Sequence, residues 1–157
     1  MILDRPVETP ALLLDLDVME KNISRMAHIA RRGGVNLRPH IKTHKSLPIA
    51  HRQLVHGALG VTVATLAEAE LMAQGGIQDI LLAYPPVGSL KLARLLDLAA
   101  WIHLTVVVDS MDVARPLAAA CKDRGMTLDV YVKVDTGLGR TGRSPEGAVE
   151  LARELKQ

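Results

Sequence analysis

A chain of 157 residues, 48% of them hydrophobic, can bury one ordinary core, and its length suggests a single domain. Nineteen basic against 17 acidic residues give a net charge of +2, and one Trp, two Tyr and no Phe provide neither a basic stripe nor a stacking platform for nucleic acid. Charges interrupt every long apolar stretch, Met1-Ile2-Leu3-Asp4-Arg5 has no signal-peptide pattern, and the single Cys121 excludes an internal disulfide, so a cytoplasmic protein with a small-molecule ligand and no membrane span is expected.

In chain order, the apolar run over residues 11–16 reads as a strand ending at Asp17. Asp17 and Glu20 have the spacing of a capping box. Met19, Ile23, Met26 and Ala30 then mark one helical face, and Gly33-Gly34 stops it. Residues 35–42 read as the next strand, and Ser46 with Pro48 opens a helix running to Gly57. A short strand over 60–65 follows. Thr65 and Glu68 form a second capping box, for a helix ending at Gly75-Gly76. Strands are expected over 79–84, 103–108 and 128–134. The helices between them carry Leu92, Leu95, Leu96 and Ala99, then Val113, Leu117 and Cys121, with Asp109-Ser110 as the cap of the second. Ser144-Pro145-Glu146 starts a last helix.

Alternating strands and helices without hairpin signals predict an α/β fold with a parallel sheet covered by helices. An open doubly wound sheet and a (β/α) barrel both fit the alternation. Open dinucleotide-binding sheets carry Gly-x-Gly-x-x-Gly directly after a first strand, and none occurs there. Polar residues recur instead at strand ends, at Lys42, Thr65, Tyr84, Asp109 and the segment 133–140, as in a barrel whose site is assembled from several strand termini. For Thr65 and Asp109 the preferred reading is that they are plain helix caps.

The densest chemistry lies in Leu37-Arg38-Pro39-His40-Ile41-Lys42-Thr43-His44-Lys45-Ser46. In an extended segment His40, Lys42 and His44 share one side. Burial and a neighbouring imidazolium would favour the neutral amine of Lys42, the form that attacks a carbonyl to make a Schiff base. A solvated basic loop is the alternative reading. The second informative stretch is Lys133-Val134-Asp135-Thr136-Gly137-Leu138-Gly139-Arg140-Thr141-Gly142, where Gly137 and Gly139 would allow a close backbone approach and Arg140 could reach a phenolate, carboxylate or phosphate.

The segment from Arg38 to Lys45 resembles the signature of the D-threonine aldolase and D-serine dehydratase family. These are pyridoxal-phosphate enzymes with the alanine-racemase type of barrel (fold type III). The stretch from Lys133 to Gly142 is similar to a signature of the same cofactor barrel, alanine racemases included. The resemblance implies that Lys42 carries the cofactor and that Arg140 lies by its phenolic oxygen, with His40, Tyr84 and His44 as the weaker candidates for cofactor or substrate contacts. It implies a lyase acting on small D-3-hydroxy amino acids, by retro-aldol cleavage or by dehydration, and homodimers for complete family members. An amino-acid racemase is disfavoured because alanine racemases follow the lysine with Ala-Asn-Ala-Tyr-Gly-His-Gly, whereas this chain has Thr43-His44-Lys45-Ser46. A non-catalytic pyridoxal-phosphate-binding barrel is the third reading.

The family's barrel has eight strands, and this chain offers five, ending at Lys42, Thr65, Tyr84, Asp109 and near Asp135. The chain is therefore expected to be the N-terminal part of the barrel domain and inactive alone. The three remaining strands, whose loops usually hold phosphate, and a β-rich C-terminal domain would lie outside it. That domain would supply the ligands of a divalent metal (Zn, Mn or Mg) and would pair with the strand over 11–16. No metal ligand is assigned within residues 1–157.

Overall fold

The computed structural model describes residues 6–156. The chain runs α1 (Leu16–Arg32), a 3₁₀ turn (Ile41–Thr43), α2 (Leu47–Val55), β1 (Val61–Val63), α3 (Leu66–Gln74), β2 (Asp79–Leu82), α4 (Ser89–Ala99), β3 (His103–Val108), α5 (Met111–Asp123), β4 (Asp129–Val132) and α6 (Pro145–Glu154). The four strands form one parallel sheet in the order β1-β2-β3-β4. Sequential neighbours lie side by side, each joined by a helix, as the alternation predicts.

The core lies between the sheet and its helices. Val61, Val63, Ile80, Leu82, Val106 and Val108 are nearly inaccessible, and Met72, Leu95, Leu96 and Leu117 close over them. Burying such side chains contributes about 1.5 to 3 kcal/mol each. Gly60 lets β1 enter beside β2, because a Cβ there would lie 2.1 Å from the carbonyl oxygen of Asp79.

Two expected strands do not form. Residues 11–15 have no regular structure, Leu12, Leu13 and Leu14 are exposed, and no described strand pairs with them. An apolar run becomes a strand only with a partner for its backbone. Helix α1 accordingly begins at Leu16 with Asp15 as its cap, its carboxylate accepting the Val18 N–H at 3.0 Å. Asp17 is inside the helix, and Glu20 pairs with Arg52 and His56 instead of closing a capping box.

The strand expected over 35–42 is reduced to a single bridge between His40 and Thr62. The segment runs beside β1, with Leu37 and Pro39 accepting the N–H groups of Leu59 and Thr62. Pro39 has no N–H to return, and the chain then coils into the 3₁₀ turn, so a fifth strand position is occupied without a full ladder.

Candidate active site

Because the strands are parallel, their C-terminal ends share one edge. Beyond it lie Lys42, Thr65, Tyr84, Asp109 and the segment 133–143. Lys42 sits in the 3₁₀ turn, so the alternation that put His40, Lys42 and His44 on one face does not hold. Its side chain is exposed rather than buried, and it makes no hydrogen bond or ion pair with the described residues. Nδ1 of His40 accepts the backbone N–H of Lys42 at 3.3 Å. Burial, followed by the positive charge of Lys42, lowers the His40 titration below that of an ordinary histidine, so it faces the lysine as a neutral ring and not as an imidazolium.

His44 is used structurally. Its Nδ1 accepts the Ser46 N–H at 3.0 Å, which leaves Nε2 as the protonated nitrogen, buried near Gln53. Burial lowers its titration as well. The turn closes on Ile41, whose carbonyl accepts the N–H groups of His44 at 3.1 Å and Lys45 at 2.7 Å.

The glycine-rich stretch closes as a loop in which Asp135 N–H donates to the Arg143 carbonyl at 2.8 Å and Arg143 N–H to the Lys133 carbonyl at 3.0 Å. The amides of Gly137 and Gly139 donate to the Asp135 carboxylate, at 3.0 Å and 2.9 Å, rather than facing open space. Those bonds, led by Gly139, hold the Asp135 carboxyl below the usual carboxylate range. Gly142 has φ 104°, and a Cβ there would lie 2.7 Å from the Asp135 nitrogen. Its N–H donates to Asp109 Oδ2 at 3.3 Å, so Asp109 ties this loop to β3 while Ser110 takes the N-cap position of α5. Arg140 is exposed in the loop and, among the described residues, unpaired.

Arg140 lines a cleft of about 540 Å³ with Asp109, Asp135 and Arg143. Tyr84, half exposed, lines a separate one of about 390 Å³ with Thr65, Pro85, Pro86 and Lys91. Lys42 lines neither. The edge thus collects Lys42, Tyr84 and Arg140 without enclosing them in one pocket, while Arg38 lies at the other edge. Thr65 acts as a helix cap, accepting the Glu68 N–H at 3.2 Å.

Sequence reasoning missed two features. Lys133 Nζ donates to the Ala83 carbonyl at 3.1 Å, crossing from the end of β4 to the end of β2. At the opposite edge, Arg38 donates to both oxygens of Asp79, at 2.5 and 3.0 Å. Asp79 meets His103 Nδ1 at 2.8 Å, and His103 Nε2 meets Asp129 at 3.0 Å. The available signal was a charged or imidazole residue at the first position of β2, β3 and β4.

Residues 14–157 match the family described as alanine racemase, N-terminal domain. The chain is 41% identical over 153 residues to D-threonine aldolase from Arthrobacter sp., covering 95% of this chain and 40% of that protein. It is 40% identical over 137 residues to D-threo-3-hydroxyaspartate dehydratase from Delftia sp. (strain HT23), covering 87% of this chain and 36% of that protein. The crystal structure of D-threonine aldolase from Filomicrobium marinum superposes with a TM-score of 0.92 at 42% identity, over 96% of this chain and 41% of that one. The chain spans about two fifths of the length of these relatives. The likeness decides between the two architectures, since the four-stranded sheet is an incomplete barrel of this type and not an open doubly wound sheet. The chain belongs to the alanine racemase N-terminal domain family.

Proposed function

We propose that this chain is the N-terminal part of the barrel of a lyase acting on small D-3-hydroxy amino acids, with Lys42 as the residue that holds pyridoxal phosphate. The observation that carries the reading is the free amine of Lys42 on the C-terminal edge of the sheet, in a chain about two fifths identical to a D-threonine aldolase and a D-threo-3-hydroxyaspartate dehydratase.

The residues present fit that cofactor. A primary amine without an internal partner is available to its aldehyde carbon, and the unpaired Arg140 guanidinium on the same edge is available to its phenolic oxygen. When bound, the cofactor serves as an electron sink for the bond broken at the substrate's α-carbon. His40, a neutral ring, is fixed beside the turn by its Nδ1 contact with the Lys42 backbone N–H, which leaves its Nε2–H as a hydrogen-bond donor. Tyr84 offers a hydroxyl to the substrate side of the same edge. Among the described residues no group of three His, Cys, Asp or Glu side chains is placed to hold a metal ion, so the divalent metal that the resemblance implies finds no ligand set here, and no step is derived through it. Its ligands, the remaining strands and the β-rich domain belong, in this reading, to chain beyond residue 157.

The test supplies the complete barrel with pyridoxal phosphate and a divalent metal and follows D-threonine and D-serine. Glycine plus acetaldehyde from D-threonine marks the aldolase, and a 2-oxo acid plus ammonia marks the dehydratase. Interconversion of D- and L-alanine, with neither cleavage nor dehydration, would contradict the lyase assignment.

A further inference from the structure

Among the described residues Glu68 is the only buried carboxylate, 8% exposed, and both of its oxygens are engaged. Oε2 accepts the N–H of Ala64, at the end of β1, at 2.8 Å, and Oε1 lies 3.1 Å from Nζ of Lys45. A simple capping box would send that first bond to the N-cap residue, Thr65, and would need no lysine. The bond goes one residue upstream, to the strand end. Helix α3 has its own cap in Thr65.

Lys45 is unusual on its own account. It has φ 48°, the only positive φ outside glycine among the described residues, a conformation that costs an L-residue about 1 to 2 kcal/mol. Its N–H closes the turn onto Ile41, and its side chain runs to Glu68. The turn enclosed by that bond contains Lys42. Burial would raise the Glu68 carboxyl, yet the Ala64 N–H and Lys45 together hold it below its ordinary value, so it stays charged at neutral pH. On the other side of Lys42, His40 feels the charges of both Lys42 and Glu68.

We propose that Glu68 is a positioning residue for Lys42: its buried carboxylate ties Lys45 to the end of β1 and thereby holds the turn that carries Lys42 in one conformation at the C-terminal edge. The proposal rests on the reading of Lys42 as the cofactor lysine for its functional meaning, but its mechanical part is independent of any cofactor. Lys45 is largely exposed, so the pair adds little to global stability. What it supplies is a fixed turn.

Amide hydrogen exchange in the cofactor-free full chain separates these roles. Glu68→Gln and Lys45→Asn, the latter chosen because asparagine tolerates a positive φ, are each expected to speed exchange of the His44 and Lys45 amides about tenfold while β3 amides stay protected. The double variant should do no more than either single one, and Lys45→Arg should restore protection. In the complete barrel, uptake of pyridoxal phosphate, read from visible absorbance, should slow about tenfold in both variants with an unchanged unfolding midpoint. Unchanged protection of the turn, or a loss confined to the first turn of α3, would overturn the proposal. If the turn loosens as expected but the cofactor labels another lysine, the Lys42 reading fails and the tether stands.

Discussion

At the N-terminal edge of the sheet Arg38, Asp79, His103 and Asp129 satisfy one another in a row, whereas at the C-terminal edge Lys42 and Arg140 are exposed without a partner among the described residues. The two edges come from the same strands, separated by three to six residues. One is closed electrostatically, and the other leaves Lys42 and Arg140 for something else. A parallel barrel divides its labour in this way, because the loops after each strand are free to vary while the strand starts fix register and order. Arg38 shows the division within one segment: four residues before Lys42 it faces the opposite edge and is consumed by Asp79.

The comparison can be broken most severely at Asp79. Asp79→Asn would leave the Arg38 guanidinium, 18% exposed, without its carboxylate and remove one of the two partners of His103. A loss of about 3 kcal/mol in unfolding free energy is expected from denaturant midpoints. Exchange protection of the turn around Lys42 should be untouched.

Next in size is Gly142→Ala on the opposite edge. The added Cβ meets the Asp135 backbone at a φ of 104°, and a destabilisation of about 2 kcal/mol is expected, concentrated in the loop carrying Arg140. Exchange rates for residues 135–143 check it. A variant that is destabilised equally throughout would blur the distinction between the edges.

The smallest effect is titration of the rim. Hydrogen bonds to Asp129 and then Asp79 raise His103 above its ordinary value near 6.5. The folded state therefore binds a proton more tightly than the unfolded one. The stabilisation is fully present below about pH 6.5 and is lost as pH rises through the raised value. With the His103 side chain half exposed, the change should stay under about 1 kcal/mol, and His103→Gln should abolish it. At the acid end burial would raise Asp79, but its bonds to Arg38 and His103 outweigh that and lower it, so its contribution is lost as pH falls below about 4.

Much of the fold was legible because helices and buried strands carry their periodicity locally. The strand over 103–108, the apolar faces of α4 and α5 and the caps at Ser46, Thr65 and Ser144 stand where the sequence put them. Residues 11–15 failed because a strand needs a partner that the described chain does not contain. The Val35 to Lys42 segment failed because Pro39 and the turn after His40 override an alternation that looks extended on paper. For the site, residue types were legible but surroundings were not. The glycine amides turned out to serve Asp135, and Lys42 turned out to be exposed beside a neutral His40. Glu68 read only as a helix cap, since the salt bridge with Lys45 depends on a left-handed residue that no pattern announces.

The central claim is tested most directly by reducing the complete, cofactor-loaded barrel with borohydride and mapping the modified peptide. The account predicts pyridoxyl label on Lys42, lost in Lys42→Ala and retained in Lys45→Ala. Label on Lys45 or Lys133 instead, or none at all, would contradict it.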